Sequence, residues 1–130
     1  MKKTLVFMLL MASVLVAVIL AQDKYGCEKD NRDQCLLAFI ENEPVDEIDE
    51  EVCGEIGNPE NKKLCFFTLA QRNGVNGLAL CDQLDNKGEL NRDYCYYSIA
   101  LSERDQLICQ QVSAKEQKNL CTKTLSLASS

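Results

Sequence analysis

The sequence predicts an all-α fold, in which disulfide-stapled tandem helical-hairpin repeats form a short α-solenoid after an N-terminal hydrophobic helix. Three observations predict it. Eight cysteines recur at nearly constant spacing, apolar residues fall three and four positions apart along most of the chain, and the chain begins with a long uncharged run. Apolar residues at that spacing share one face of a helix, whereas strands require alternation.

Residues 1–21 are the first predicted segment. Two lysines near the start are followed by residues 4–21, which carry no charge. Such a segment is typical of a secretory signal peptide, and it is also long enough to be an uncleaved anchor that attaches the protein to the membrane. Small residues favour cleavage after Ala21. Either alternative places residues 22–130, the predicted cysteine-rich helical repeat domain, outside the cytoplasm, secreted or anchored.

The exported part of the chain is acidic. From Gln22 onward it holds 12 basic and 20 acidic residues, a net charge of −8. Such a charge keeps a protein soluble and argues against binding to nucleic acid or to anionic lipid head groups. The expected partner is therefore another envelope or extracellular protein.

The cysteines form two interleaved series. They are Cys27, Cys35, Cys53, Cys65, Cys81, Cys95, Cys109 and Cys121. Cys53, Cys81 and Cys109 are 28 residues apart, and the flanks NRDQC, NKKLC, NRDYC and QKNLC around the other series share an amide and a base. An apolar residue follows four positions after each of these cysteines. The pattern is a tandem repeat of roughly 28 residues with two cysteines per unit, and an even number in an exported chain predicts a disulfide framework.

Each unit is predicted to be two helices. The helices are expected near 30–42, 46–56, 59–72, 77–85, 89–101, 103–112 and 114–127. Asn58 before Pro59 is a good helix start, Ser113-x-x-Glu116 fits a capping box, and Ser102-x-x-Asp105 fits one more loosely. The dipeptides Asn73-Gly74 and Asn76-Gly77, and the stretch Asn86-Lys87-Gly88, tolerate positive φ and indicate turns between helices.

The cysteines are expected to face the core. Cys95 and Ile99 share a helical face, flanked by Tyr96 and Ala100, and Cys109 lies between Ile108 and Val112. The neighbouring tyrosines are interpreted as half-buried packing with the hydroxyl reaching water, in preference to a platform that stacks against a ligand.

Two disulfide pairings compete. Pairing within units gives Cys27–Cys35, Cys53–Cys65, Cys81–Cys95 and Cys109–Cys121, whereas pairing across units gives Cys35–Cys53, Cys65–Cys81 and Cys95–Cys109. The first is preferred because it leaves no free thiol. It requires Cys27 to precede its helix, since eight residues of helix span about 12 Å, too far for a disulfide.

The stretch NRDYCYYSIALSERDQLICQQV, repeated in degenerate form from about Cys27 to Leu127, resembles the cysteine-containing helical repeats of uncharacterised exported or membrane-attached archaeal proteins. It is also distantly similar to the helical hairpins of Sel1 and tetratricopeptide repeats. The resemblance covers nearly all of the mature chain. It implies an architecture and brings no catalytic residue with it.

The side-chain inventory disfavours most catalysis. The chain has no histidine, which removes the usual base for a serine, cysteine or aspartate nucleophile, and it has no Cys-x-x-Cys redox pair. Evenly spread cysteines do not suit zinc, and no cofactor is expected. The stretch 41–60 has nine carboxylates and no base, and Asp46, Asp49 and Glu50 could hold calcium loosely. Interaction with the helix dipole is the preferred role for these acids.

Two functional hypotheses follow. In the first, the protein is not an enzyme but an exported protein–protein interaction or structural module of the cell envelope. In the second, it is a thiol-active redox protein of the export compartment, with Cys27 or Cys121 reactive at the ends of the array.

Overall fold

The computed structural model describes residues 24–128, and the predicted signal peptide or anchor at 1–21 lies outside them. Within the described residues the chain is helical and contains no β-strand. The α-helices are α1 (Arg32–Asn42), α2 (Glu51–Gly54), α3 (Pro59–Asn73), α4 (Leu78–Cys81), α5 (Arg92–Glu103) and α6 (Lys115–Ala128). Single 3₁₀ turns are η1 (Lys29–Asn31), η2 (Val45–Glu47), η3 (Gly74–Gly77) and η4 (Ile108–Gln111). The predicted all-α class is therefore confirmed for this part of the chain.

The four long helices pack in chain order. Helix α1 contacts α3, α3 contacts α5, and α5 contacts α6, while the short elements fill the spaces between successive long helices. None of the helices between residues 24 and 128 combines the length and the apolar character needed to cross a bilayer.

One continuous core joins the helices. Cys95 and Ile99 on α5 are fully buried, as are Cys109 and Val112 around η4, so the predicted inward positions are confirmed. The apolar residue four positions after the cysteine is buried on α3, α5 and α6. On α1 that position is Phe39, which is half-buried and packs edge-on against Tyr25, with 5.4 Å between ring centroids. Fully buried side chains run along the chain: Leu36, Ile40, Val52, Cys53, Cys65, Leu69, Cys81, Cys95, Ile99, Cys109, Val112 and Cys121.

The helices predicted at 30–42, 59–72, 89–101 and 114–127 are present, and side-chain caps mark the starts of α3 and α5. The Asn58 side chain accepts hydrogen bonds from the backbone N–H of Glu60 and Asn61, at 3.0 and 3.1 Å, as the start of α3 requires. The helix predicted at 89 begins only at Arg92, because Asn91 is its cap and accepts from Tyr94 N at 2.8 Å.

The single helix predicted at 46–56 is wrong. The chain forms η2, becomes extended at Ile48, and resumes as the one-turn helix α2. Asp49 starts α2 by accepting a hydrogen bond from Glu51 N at 3.0 Å. Five carboxylates between residues 46 and 51 would repel one another along a continuous helix, whereas this break lets Ile48 reach the core.

The helices predicted at 103–112 and 77–85 are also shorter than expected. Helix α5 extends to Glu103, and the next residue, Arg104, ends it with a left-handed φ of 55°. Asp105 then caps a turn by accepting from Leu107 N at 2.8 Å, and Ser102 Oγ donates to Ile99 O, so the Ser102-x-x-Asp105 box does not form. Only η4 follows it.

In the 77–85 segment, α4 is a single turn, and residues 82–84 continue it with 3₁₀-type bonds. The predicted turn glycines do have positive φ at Gly74 and Gly88, 56° and 78°.

Candidate functional site

All eight cysteines are joined in disulfides, and none is free. The bonds are Cys27–Cys35, Cys53–Cys65, Cys81–Cys95 and Cys109–Cys121, with Cα atoms 5.5 to 5.7 Å apart. These are the pairs of the within-unit alternative. Cys27 lies in the coil before η1, as that pairing requires.

Each disulfide joins a short segment to the long helix that follows it. Cys53 on α2 bonds Cys65 on α3, and Cys109 on η4 bonds Cys121 on α6, and these four residues are fully buried. In the first bond Cys35 is half-buried. The thiol-active hypothesis needs a reactive thiol at Cys27 or Cys121, whereas both residues are in disulfides here, which leaves no thiolate to attack.

Two aspartates that the sequence analysis did not single out connect successive long helices. Asp33 on α1 accepts hydrogen bonds from the backbone N–H of Gly57 and Asn58, at 2.9 and 2.8 Å. These N–H groups belong to the two residues immediately before α3. The carboxylate therefore meets the positive end of the next long helix, where negative charge is stabilised.

Asp93 on α5 repeats this contact one pair of units later. It accepts from the N–H groups of Ser113 and Ala114, at 2.9 and 2.7 Å, the two residues immediately before α6. The predicted Ser113 hydroxyl cap accepts instead from Arg92 Nη1 at 3.1 Å. The recurrence of Asn-Arg-Asp two residues before Cys35 and Cys95 was the signal that could have identified both aspartates.

The pKa of each aspartate reflects these donors. The N–H groups of Gly57 and Asn58 hold the pKa of Asp33 below its usual range. Burial raises the pKa of Asp93, but the N–H groups of Ser113 and Ala114 outweigh burial and leave that pKa below its usual range. Both carboxylates are therefore charged in the folded protein at neutral pH.

In the second unit Lys63 occupies the position that corresponds to Asp33 and Asp93. Its ammonium contacts the Asp85 carboxylate at 3.3 Å, in the longer loop before α5. The N–H of Lys87 and the charge of Lys63 lower the pKa of Asp85. An ion pair thus replaces the carboxylate-to-backbone contact at this junction.

The arginine of each Asn-Arg-Asp motif also makes a fixed contact. Arg32 pairs with Glu55 at 2.6 Å, and Arg92 pairs with Asp82 at 2.8 Å. Arg92 also lies over the Tyr96 ring, 4.8 Å from its centroid, and the Tyr96 hydroxyl donates to Asp82 at 3.0 Å. Tyr96 therefore packs in the protein interior and does not belong to a surface on which a ligand could stack.

The remaining tyrosines of α5 lie on a different surface, where Tyr94 is exposed and Tyr97 is half-buried. The apolar ridge is defined as Leu64, Phe67, Tyr94, Tyr97 and Leu120. Tyr94 stacks between the other two rings, with centroids 5.6 Å from Phe67 and 6.3 Å from Tyr97. Beside it, a groove of about 490 Å³ separates the tyrosines from Leu120 and Glu116 on α6.

The acidic stretch shows no metal-binding geometry. Asp46 lies in η2, while Asp49 and Glu50 precede α2, so the three do not share one helical face. Among residues 24–128, no cluster of three or more acidic, cysteine or histidine side chains is arranged to hold a metal ion. The candidate calcium ligands are thus used in capping and as solvated charge.

Comparison with protein-family models, with curated proteins and with solved structures finds no match to this chain.

Proposed function

We propose that this protein is an exported, non-catalytic array of four disulfide-stapled helical-hairpin units that serves as a protein–protein interaction or structural module of the cell envelope. The observation that carries the proposal is the use of every cysteine in a bond between neighbouring segments of one unit. Arrays of this kind bury their repeated apolar positions and leave an extended outer surface for partners.

Two observations support the proposed export, the disulfides and the sequence of the N-terminal residues. Reducing thiols in the cytosol keep cysteines from forming stable disulfides, so four structural disulfides are typical of an oxidising compartment. The uncharged run 4–21 after two lysines supplies the route, as a cleaved signal peptide or as an anchor. The resemblance to exported helical repeats agrees with both.

The proposed array also accounts for the Asn-Arg-Asp motifs. Asp33 and Asp93 each bind the backbone at the start of the next long helix, and the disulfides close the units themselves. Covalent links within units and polar contacts between units keep a chain with a modest core in one shape. A rigid shape is what a binding scaffold needs, because little ordering is required on association.

The interaction function is tested by site-specific photo-crosslinking in the native host. A photoreactive residue replaces one exposed side chain at a time, for example Leu120, Leu107 or Val75. The proposal expects a crosslinked protein adduct that saturates and that excess unlabelled protein competes away. The absence of a competable adduct at every exposed position tested would contradict it.

A further inference from the structure

Three of the five side chains of the apolar ridge, those of Leu64, Tyr94 and Leu120, are exposed to solvent. Tyr94 is 41% exposed and Leu120 is 54% exposed. Phe67 and Tyr97, between these exposed residues, are half-buried and pack against the core. Contiguous exposed apolar groups flanked by polar ones are typical of interaction sites.

The ridge follows the repeat. Leu64, Tyr94 and Leu120 each stand one residue before the unit's second cysteine, and Phe67 and Tyr97 each stand two residues after it. The residue two positions after one cysteine contacts the residue one position before the cysteine of the next long helix, as Phe67 contacts Tyr94. Tyr97 and Leu120 line the same groove between α5 and α6. The ridge therefore crosses three long helices in one direction.

Carboxylates border one edge of the ridge. Glu60 and Glu116 each stand four residues before a ridge leucine, Leu64 and Leu120, and so lie one helical turn away on the same face. Both glutamates are exposed, and Glu116 also lines the groove. Glu60 has Lys63 at 3.8 Å, but the Lys63 ammonium lies closer to Asp85, at 3.3 Å. With Lys63 counted, this edge still carries a net negative charge, in a chain of net charge −8 from Gln22 onward.

We propose that the ridge and its groove bind a basic amphipathic helix of a partner protein, an inference that rests on the proposed interaction function. Apolar side chains of that helix fill the groove between Tyr97 and Leu120. Lysine or arginine side chains along its flank meet Glu116 and Glu60. Helix-in-groove recognition of this type combines apolar anchors with complementary charge.

The first test uses two synthetic peptides and the oxidised protein as exported. One peptide is a leucine–lysine amphipathic helix, and the other is its leucine–glutamate counterpart of equal length. Fluorescence anisotropy measures the binding of each peptide at low and at physiological ionic strength. We expect saturable one-to-one binding of the lysine peptide, at least about tenfold tighter than that of the glutamate peptide and weaker in salt.

Variants then locate the site. Leu120→Asp is expected to weaken lysine-peptide binding by at least about tenfold, because it places charge in the apolar groove. Leu107→Asp is the matched control, since Leu107 is 77% exposed and lies outside the ridge, and it should leave binding unchanged. The Glu60→Gln, Glu116→Gln double variant should weaken binding several-fold and reduce its dependence on salt. Circular dichroism establishes that each variant is folded.

The inference is overturned if the lysine peptide does not saturate, if the two peptides bind equally, or if Leu120→Asp has no effect. It is also overturned by a concentration-dependent dimer that Leu120→Asp abolishes, which would make a second copy the occupant, or by binding of the ridge to anionic vesicles. A competable crosslinked partner at another surface, with none at Leu120, would retain the interaction function and remove this site.

Discussion

At the scale of single residues, the Asp93 side chain links α5 to the backbone at the start of α6. It is only 4% exposed, yet it stays charged because two backbone N–H groups and Arg92, 3.6 Å away, surround its carboxylate. This carboxylate accepts two charge-assisted hydrogen bonds from residues outside its own helix. It satisfies donors that the next helix leaves without intrahelical partners.

Asp93→Asn is expected to destabilise the protein by about 1–3 kcal/mol at pH 7, because the amide removes the charge and one acceptor. The folded-state pKa of Asp93 is lowered, so its contribution is present above the unfolded pKa of about 3.9 and is lost as pH falls through the folded pKa. The difference in unfolding free energy between wild type and variant should thus shrink below about pH 4. Denaturant unfolding with intact disulfides, at pH 7 and pH 2.5, measures it.

Asp46→Asn is the control for this prediction, since Asp46 is an exposed carboxylate in η2. It should change the unfolding free energy little at either pH. Equal effects of the two substitutions at pH 7 would refute the assigned role of Asp93.

At the scale of elements, α3 and the η3–α4 segment that follows it pack closely together at Gly77. Gly77 is buried, and a Cβ built on it would lie 2.8 Å from the Cα and 2.9 Å from the carbonyl carbon of Ala70 on α3. Both are backbone atoms, so the helix itself would have to move. Gly77 is therefore required by the approach of two backbones rather than by its own φ.

Gly77→Ala is expected to cost about 1–3 kcal/mol through overpacking, and more if α3 shifts. Gly54→Ala in α2 is the matched variant, since a Cβ there has open space around it. It should be neutral or slightly stabilising, because alanine favours helix. Thermal unfolding of both variants tests the pair, and a smaller loss of Tm for Gly77→Ala than for Gly54→Ala would contradict the packing account.

At the scale of the whole molecule, the disulfides and a single core hold the helices together. Cys53–Cys65 joins two helices in the interior, and both of its residues are fully buried. Cys27–Cys35 ties a terminal segment to α1, and Cys35 is only half-buried. Loops of 12 and 8 residues give similar chain-entropy terms, so packing distinguishes the two bonds.

Replacing Cys53 and Cys65 together with alanine is therefore expected to destabilise the protein by about 2–5 kcal/mol and to reduce its cooperativity. The same replacement of Cys27 and Cys35 should cost less and leave helix content unchanged. Guanidinium unfolding followed by far-ultraviolet circular dichroism compares the two double variants. A larger loss of unfolding free energy when Cys27 and Cys35 are replaced would show that Cys53–Cys65 is not the more stabilising disulfide.

Sequence patterns predicted the long helices well, because each carries an apolar stripe, and Asn58 before Pro59 also marked the start of α3. They overestimated the short elements at 46–56, 77–85 and 103–112. In the 46–56 segment the extended residue Ile48 interrupts the helix, and Asp49 then starts α2. At 103–112 the left-handed Arg104 ends α5 and is followed by a turn that Asp105 caps. The periodicity of apolar residues does not encode such breaks in the backbone.

The surface was less predictable than the core. The inward faces of Cys95 and Cys109 followed from spacing, but the tyrosines on either side of Cys95 diverge. Tyr96 is buried on Asp82 and Arg92, whereas Tyr94 is exposed in the apolar ridge. Adjacent residues of an α-helix are rotated by about 100°, so Tyr94 and Tyr96, two positions apart, lie on different faces. Which of the two faces is buried depends on where the neighbouring helices pack.

Each of the eight cysteines pairs with its neighbour along the chain, which gives four disulfides. The most direct measurement is mass-spectrometric mapping of the oxidised protein from its native compartment, with free thiols alkylated before digestion and without reduction. The account predicts four linked peptides, Cys27 with Cys35, Cys53 with Cys65, Cys81 with Cys95 and Cys109 with Cys121, and no alkylated cysteine. Peptides linking Cys35 with Cys53 or Cys65 with Cys81, together with alkylated Cys27 and Cys121, would contradict it.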